Sequence, residues 1–300
     1  SLEVQRNVVI EEFKQRYLNQ PYGDVWLKLR ELCYKKHPYK WATIGKEIKH
    51  IEEAKMEEVK EFFNSFYSPK NAILVIAGNI NYEKTLELSK KWFGTIEGRE
   101  VNRRNYEQEP KQNEKRLLEV KAAVPVNALY MAFHTYERKN PGFYACDLLI
   151  DILSQNQSSL LFRKLVREKG LCSEIHAYQT ENLDPGLLII DAKLNENSDY
   201  EVLEKEIITE IKDLRNNILE SDIEKVKNKK ITLLSFSRME ILNRAMELAF
   251  FENLGNADLI NEELKNYQSV TKADIIKVID EVIEETNCSI LRYRSNDNIR

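Results

Sequence analysis

The chain has 300 residues, of which 42% are hydrophobic and 31% charged, a composition typical of globular proteins and sufficient for two domains. Its net charge is −4 at pH 7, so there is no basic excess to attract nucleic acid or an anionic membrane. No apolar run approaches the ~18 residues that a transmembrane helix needs. The sequence argues against nucleic-acid binding and against a membrane span in these residues, and it leaves the compartment, cytoplasmic or periplasmic, open.

Helices are predicted through most of the first hundred residues. Leu2, Val9, Phe13 and Tyr17 recur at helical spacing and place one side of the first helix against a core. The continuous apolar run at 72–77 is of the kind that buried strands show. The predicted helices of this part are 3–18, 24–35, 56–67 and 82–93.

A polar stretch divides the chain. Residues 96–115 have no apolar period, and we predict a linker at 97–114 between the C-terminal part of a first domain (1–96) and a complete second domain (115–300). The second part pairs its strands and places helices between them, which predicts an α+β fold with a mainly antiparallel sheet and helices on one face. Its predicted strands are 116–124, 126–135, 172–180, 186–193 and 287–293, and its helices are 142–153, 157–168, 198–217, 221–253, 258–267 and 271–284.

An internal repeat links the two parts. A shift of 216 positions, which sets Asn71 on Asn287, aligns residues 43–77 with 259–293 without a gap, and apolar positions match in kind throughout. Such similarity indicates duplicated supersecondary units. If the second unit begins near Lys115, a complete first unit would begin about 100 residues before Ser1, so we expect two related units of which the first is incomplete.

No complete active site can be assembled from the residues alone. Histidines occur only at 37, 50, 134 and 176, never three or four positions apart, so no helix presents two imidazoles on one face, and each is interpreted as a surface or packing residue. GxSxG, P-loop and GxGxxG motifs are absent. The cysteines have no CxxC pair and are expected to be mostly buried thiols: Cys33, Cys146, Cys172 and Cys288.

One acidic residue allows two interpretations. Glu12, in the stretch VVIEEF, follows Gln5, Val8 and Val9 at helical spacing, which sets a carboxylate beside an apolar face. A buried carboxylate is normally paired or metal-bound. The alternative, which spacing alone favours, is a boundary glutamate that reaches water.

Four stretches of the chain carry a family resemblance: RNVVIEE (6–12), HPY and TIG (37–45), FYSPKNAILVIAGN (66–79) and LFRKLVREKGLCSEIHAY (161–178). In these stretches the sequence resembles the pitrilysin/insulinase-type zinc metallopeptidases, the inverted zincins whose signature is HxxEH. The resemblance covers nearly the whole chain. The duplicated α+β unit also belongs to that family, in agreement with the repeat.

The resemblance implies a role for Glu12. In the family two histidines of HxxEH and a distant glutamate bind zinc, and that glutamate lies in an R-x-V-V-x-x-E pattern that maps onto Arg6, Val8, Val9 and Glu12. Glu12 is therefore the implied third zinc ligand, and Glu11 takes its place if the register slips by one. The histidine ligands are absent from this chain, so we expect zinc in the whole protein and none bound by this fragment.

Two positions depart from the family pattern. Many members have a second glutamate seven residues before the ligand, where this chain has Gln5. Active members use an arginine and a tyrosine in the second half to hold substrate and stabilise the oxyanion. Arg167 matches that arginine, with an ordinary helix-end salt bridge as the alternative, whereas Ser173 occupies the tyrosine position and is too short to replace a phenol.

Two functions remain open at this stage. The chain is interpreted as part of a zinc-dependent endopeptidase that acts on peptides, with a homodimer or a sister subunit as the expected partner. The alternative is a non-catalytic homologue that serves as a structural or partner subunit of a peptidase complex, since the family contains such members.

Overall fold

The structure is a computed structural model that describes residues 2–101 and 105–296. Helix α1 (Leu2–Phe13) continues as a π-helical turn (Lys14–Leu18). It is followed by α2 (Val25–Cys33), α3 (Ile48–Glu53), α4 (Met56–Phe66) and α5 (Tyr82–Phe93), with short 3-10 turns at Pro38–Lys40 and Pro69–Asn71. The helices predicted in this part are confirmed to within a few residues at their ends.

The second part forms one five-stranded sheet with helices between the strands. The sheet order is β1-β5-β2-β4-β3, with β1 parallel to β5 and the other neighbours antiparallel. The α+β prediction and the mainly antiparallel sheet are therefore confirmed. The elements are β1 (Arg116–Ala122), β2 (Ala128–His134), α6 (Gly142–Ser154), a π-helical turn (Phe162–Glu168), β3 (Cys172–Gln179), β4 (Leu187–Leu194), α7 (Tyr200–Asn217), α8 (Glu220–Ser237), α9 (Ile241–Asn253), α10 (Glu263–Ser269), α11 (Lys272–Val282) and β5 (Cys288–Ser295), with 3-10 turns at Ala257–Asn261 and Glu285–Asn287.

The main core lies between one face of the sheet and the helices α6, α7 and α11. Strand β2 reads ALYMAFH and is buried over nearly its whole length, because both faces of the sheet are covered where this strand lies. Helix α6 is buried along almost every residue because it lies between strand β3 and the helices α8, α10 and α11. The residues that meet in this core include Leu129, Met131, Phe133, Leu148, Leu149, Ile175, Ile190, Ile211, Ile279 and Ile290.

The opposite face of the sheet is covered by α2, which lies in the predicted first domain. Leu29, Cys33 and Tyr34 pack with Tyr130 and Tyr293 in a second core cluster. Two hydrogen bonds fix the helix end to the first strand, since Nη1 of Arg116 donates to the carbonyls of Leu32 (3.0 Å) and Cys33 (2.6 Å). Residues 25–34 thus cover this face of the five-stranded sheet.

The apolar run at 72–77 was predicted as a buried strand, and in this chain it is extended but forms no ladder among the described residues. Ile73, Leu74 and Ile76 are exposed. The prediction of burial is wrong for this chain because a strand is buried only when neighbouring strands and a helix layer cover it.

The helix predicted at 221–253 is broken into α8 and α9. Glu240 has an extended backbone, and the guanidinium of Arg244 donates to the carbonyl of Arg238 and so satisfies the end of α8. The segment Arg238–Glu240 contains no glycine or proline. Sequence therefore carried no breaker signal.

The predicted linker is irregular where it is described, and residues 102–104 lie outside the described residues. Its second half is hydrogen-bonded to both parts of the chain. The carboxylate of Glu109 accepts the backbone N–H groups of Lys35, Lys36 and His37 at 2.7–2.9 Å. The buried amide of Gln112 donates to the carbonyl of Cys288 (3.0 Å).

Two further expectations concern membrane-spanning helices and the cysteine thiols. Among the described residues, no helix combines the length and apolar character needed to cross a bilayer. The four cysteines are buried free thiols, as predicted. Burial raises the pKa of the Cys33 and Cys146 thiols to about 12, so they behave as apolar packing groups and not as nucleophiles.

Candidate zinc-ligand and substrate-contact residues

Helix α1 places the candidate ligand Glu12 on the surface of the chain. The side of α1 that packs inward carries Ile10 and Phe13. The guanidinium of Arg6 holds the helix against α3, since its Nε donates to the carbonyl of Ile51 (3.1 Å) and its Nη2 to that of Ala54 (2.5 Å). Arg6, the first residue of the motif, is therefore an anchor for the helix that presents Glu12.

The carboxylate of Glu12 is half-exposed and has a local partner. Its Oε1 lies 3.0 Å from the guanidinium of Arg16, one turn further along the helix. Glu11 is more exposed and pairs with Lys14 at 2.8 Å. Both glutamates lie on an exposed face of the first helical segment, together with Val4, Asn7 and Val8. Both candidate ligands are therefore accessible from outside the chain.

The residues of this chain do not by themselves fit a zinc ion. Zinc sites in enzymes take three protein ligands and leave a position for water. In the described part of the chain, no three His, Cys, Asp or Glu side chains are grouped closely enough to hold a metal. Glu12 offers one such ligand and is already paired with Arg16. A zinc site that uses Glu12 needs further ligands from outside the described residues.

Two of the four histidines are packing residues. His37 is buried, its ring centroid lies 4.2 Å from that of Tyr39, and its Nε2 lies 3.2 Å from the carboxylate of Asp184. His134 packs edge-on against Tyr34. Burial lowers the pKa of His134 and keeps its imidazole neutral. These positions agree with the interpretation of the histidines as structural groups.

Arg167 and Ser173 lie on either side of a tight turn. Arg167 is exposed on the π-helical turn Phe162–Glu168, and Gly170 follows in the left-handed region with φ 61°. Its Nη2 donates to Oε1 of Gln157 (2.9 Å), and its guanidinium lies 5.5 Å from the ring centre of Phe162. Ser173 is exposed on the edge strand β3, where its hydroxyl points back to the carbonyl of Lys193 (3.4 Å).

The sequence-predicted residues are not brought into one site by this chain. Glu12 and Arg167 each bond to neighbours within ten residues along the chain. In the described ranges, Arg167 makes no salt bridge to an acidic group, so the helix-end salt bridge considered for it is not formed. The guanidinium is held by an amide and an aromatic ring, which leaves its charge available to another group.

A cavity of about 830 Å³ lies elsewhere, between the β2–α6 loop and the helices α9 to α11. Arg138 lines it and is buried, with Nη2 2.5 Å from Oε1 of Glu263 and its guanidinium carbon 4.4 Å from the ring centre of Phe143. Arg238 binds the other oxygen of the same carboxylate (2.6 Å). Sequence spacing missed this cluster because its members are up to 125 residues apart.

Comparison with known proteins identifies the class. A family profile described as the peptidase M16 inactive domain matches residues 54–230. Since this is more than half of the chain, the chain belongs to the peptidase M16 family. The resemblance to the pitrilysin/insulinase-type zinc metallopeptidases is thereby confirmed.

Individual relatives agree with this assignment. The zinc protease PqqE of Helicobacter pylori is 28% identical over 289 residues, which cover 94% of this chain and 64% of that protein. The uncharacterized zinc protease YmxG of Bacillus subtilis is 25% identical over 63% of this chain and 45% of its own length. The chain thus spans less than two thirds of the length of either curated relative.

Solved structures share the fold. The crystal structure of a protease from Helicobacter pylori matches with a TM-score of 0.90 and 24% identity, covering 98% of this chain and 72% of that one. The peptidase M16 inactive domain from Pseudomonas fluorescens matches with a TM-score of 0.84 and 16% identity, covering 98% and 70%. At these identities the likeness concerns the fold.

Proposed function

We propose that this chain is part of a zinc-dependent endopeptidase that hydrolyses peptides. The observation that carries the proposal is the match to the M16 family together with the position of Glu12, which α1 presents on an exposed face. The similarity to proteins named zinc proteases supports it. In such a site zinc would lower the pKa of a bound water and so make that water a nucleophile for a peptide carbonyl.

In this proposal the residues of the chain have separate tasks. Glu12 supplies one zinc ligand, and the remaining ligands come from outside residues 1–300. Arg167 contacts the peptide or the developing oxyanion, because its charge is exposed and forms no salt bridge to an acidic side chain among the described residues. Ser173 supplies no phenol, so Arg167 acts without the tyrosine partner that active family members use.

We propose the division of the chain that the polar stretch and the resemblance to the family imply. Residues 1–96 form the C-terminal part of a first metallopeptidase-like domain, 97–114 a linker and 115–300 a second such domain. The packing of α2 on the five-stranded sheet supports a fixed association of the two domains, as opposed to two domains joined only by a flexible linker.

The zinc role is tested in the whole protein with Glu12→Gln and the matched neighbour Glu11→Gln. Glu12→Gln should weaken zinc affinity by at least about 10-fold, because the amide removes an anionic ligand. Glu11→Gln should keep stoichiometric zinc, measured by elemental analysis after dialysis. Full zinc in Glu12→Gln would exclude the ligand role, and loss only in Glu11→Gln would transfer it to Glu11.

The chain as given should bind zinc weakly and hydrolyse no peptide, because one carboxylate cannot hold the metal. A fluorogenic peptide assay with and without chelator measures this. Chelator-sensitive hydrolysis by residues 1–300 would contradict the proposal that essential ligands lie outside them.

A second function is favoured by one observation, the description of the matched profile as an inactive domain. In that case the protein is a non-catalytic structural or partner subunit of a peptidase complex, and Ser173 at the tyrosine position agrees with it. Zinc content of the whole protein decides between the two: stoichiometric zinc with peptide hydrolysis supports the enzyme, and a metal-free protein supports the partner subunit.

A further inference from the structure

The cavity that Arg138 lines, here called the Arg138 cavity, has the dimensions of a small-molecule site. Its volume of about 830 Å³ lies within the range of such sites, about 300–1,000 Å³. Its apolar wall combines side chains of α6, α9 and α11 with the turns that follow α9. An apolar wall of this kind binds the body of a ligand, and the polar groups around it select the head group. The apolar side chains include Tyr144, Phe251, Leu254, Leu259 and Val278.

The charged groups around the Arg138 cavity are mainly basic, although the chain as a whole has a net charge of −4. Among the described residues Arg138, Lys139 and Lys277 line it, against one acidic residue, Asp274. The carboxylate of Asp274 is occupied, since it accepts the N–H and the hydroxyl of Thr271 at 2.8 and 2.6 Å. The charge that the cavity offers to a ligand is therefore positive.

Two further carboxylates lie next to the cavity, and both are paired. Glu263 is bridged by two guanidinium groups, and Glu281 accepts the hydroxyl of Tyr136 at 2.7 Å. Nζ of Lys277 lies 3.8 Å from Oε1 of Glu281, a long contact between exposed groups. Lys139 makes no salt bridge in the part of the chain that the structure describes. The two lysines therefore keep their charge available to a bound anion.

Lys139 extends from the β2–α6 loop towards the turn that follows α9. Its Nζ lies 4.0 Å from the position that a Cβ atom on Gly255 would take. Gly255 has φ 115°, a conformation that residues with a side chain rarely adopt, so this turn presents no side chain to the ammonium group. A cation from one wall of the cavity thus lies beside the opposite wall, where it can contact a ligand bound between the two.

The polar groups that the chain leaves unpaired at this cavity are hydrogen-bond donors. The side-chain oxygens of Asn140 and Asn256 accept the N–H groups of Gly142 (2.8 Å) and Asp258 (2.9 Å). Neither side-chain NH2 group donates to another described residue. Nε of Arg138 is buried and also lacks a partner among these residues. Since buried donors in proteins are normally satisfied, this set of groups lacks an acceptor.

We propose that the Arg138 cavity binds a small organic acid, a molecule with one carboxylate and an apolar body. An ionised carboxylate only accepts hydrogen bonds, which matches the unpaired amide donors of the two asparagines and the ammonium groups of the two lysines. The apolar body packs against the aromatic and aliphatic wall. The proposal does not depend on zinc or on peptide hydrolysis.

Isothermal titration calorimetry of the whole protein with phenylacetate tests the proposal. Phenethylamine, which has the same carbon skeleton and an ammonium in place of the carboxylate, is the matched control. Phenylacetate should bind at least about 10-fold more tightly, because only the carboxylate accepts hydrogen bonds from the unpaired donors. Equal affinities, or no binding of phenylacetate at about 10 mM, would overturn the proposal. Full displacement of phenylacetate by inorganic phosphate at equal concentration would assign the cavity to phosphate and refute the organic acid.

Two variants test the position of the site. Lys139→Gln should weaken phenylacetate binding by at least about 10-fold, because it removes a cation. Lys265→Gln, which changes an exposed lysine of α10 paired with Glu262 at 2.9 Å, should keep the affinity within about two-fold. Ser269→Trp, at an exposed position on the cavity wall, should abolish binding by filling the space, with an unfolding midpoint like that of the wild type. Unchanged affinity in either Lys139→Gln or Ser269→Trp would refute the site.

Discussion

At the scale of single residues, a buried ion pair joins strand β5 to helix α7. Nε of Arg292 lies 2.7 Å from Oε1 of Glu204, and both side chains are more than 90% buried. Arg292 also reaches Glu119 (3.0 Å). A buried carboxylate that loses its partner retains the cost of desolvation, so this pair depends on both members.

Arg292→Met should destabilise the chain by about 3 kcal/mol, because Glu204 would keep only Lys115, at 3.3 Å. Chemical denaturation of residues 1–300 measures the loss. Arg215→Met, which breaks the exposed pair with Asp280, is the control and should cost far less. Equal losses for the two variants would show that burial of the pair does not matter.

The proposed substrate contact also belongs to this scale. In the whole protein, Arg167→Ala should lower kcat/KM for peptides by about 100-fold, since it removes a positive charge from the reacting group. Arg163→Ala, an exposed arginine on the same helical turn, should leave kcat/KM within a few-fold. Unfolding midpoints of both variants should match the wild type, and unchanged kinetics in Arg167→Ala would remove it from the site.

At the scale of elements, helix α11 begins with a reciprocal cap. The N–H of Thr271 donates to the carboxylate of Asp274 (2.8 Å), and the N–H of Asp274 donates to the hydroxyl of Thr271 (3.3 Å). This pair is a capping box, which satisfies donors that the first turn of a helix leaves free. Because α11 is buried against the sheet, its start also sets the position of the main core.

Thr271→Ala should therefore destabilise the chain by about 1 kcal/mol. Thr232→Ala, in the middle of the exposed side of α8, is the matched control and should be neutral or slightly stabilising, because alanine has the higher helix propensity. Thermal unfolding of both variants compares them. A similar loss in both would mean that the capping hydroxyl contributes nothing specific.

The elements also show how far local pattern reaches. Apolar periods predicted α4, α11 and both strands of the β3–β4 hairpin within a few residues, because such a pattern acts over a short stretch of chain. The break at Arg238–Glu240 was missed, since it depends on Arg244 and on distant Glu263, which bonds Arg238 at 2.6 Å. The run at 72–77 is predicted as a buried strand, but among the described residues no strand pairs with it, and Ile73, Leu74 and Ile76 are exposed.

At the scale of the whole molecule, Glu109 joins the linker to the first part of the chain. Burial tends to raise the pKa of its carboxyl, but three backbone N–H groups outweigh burial and lower it. A lowered pKa in the folded state contributes stability above the unfolded value of about 4.3, and this is lost as the pH falls through the folded pKa. The junction is therefore weakened by acid.

Glu109→Gln should reduce stability at neutral pH, and its difference from the wild type should shrink as the pH falls from about 5 to about 3. Glu107→Gln, whose carboxylate pairs only at the surface with Lys36 (3.4 Å), is the control. Denaturation curves at several pH values measure both. A difference for Glu109→Gln that is independent of pH would contradict the role of its charge.

The sequence by itself determined the fold class, the repeat, the family and the identity of Glu12 and Arg167 as candidates, because apolar period and motif spacing can be read along the chain. Only the tertiary structure decided that α2 covers one face of the five-stranded sheet, that Arg138 and Glu263 form a buried pair, and that Glu12 has a surface partner in Arg16. These depend on contacts between residues far apart in sequence. The same reason explains why 56–79 and 272–295, alike in local structure, differ in burial: each segment specifies its own conformation, and only its neighbours can cover it.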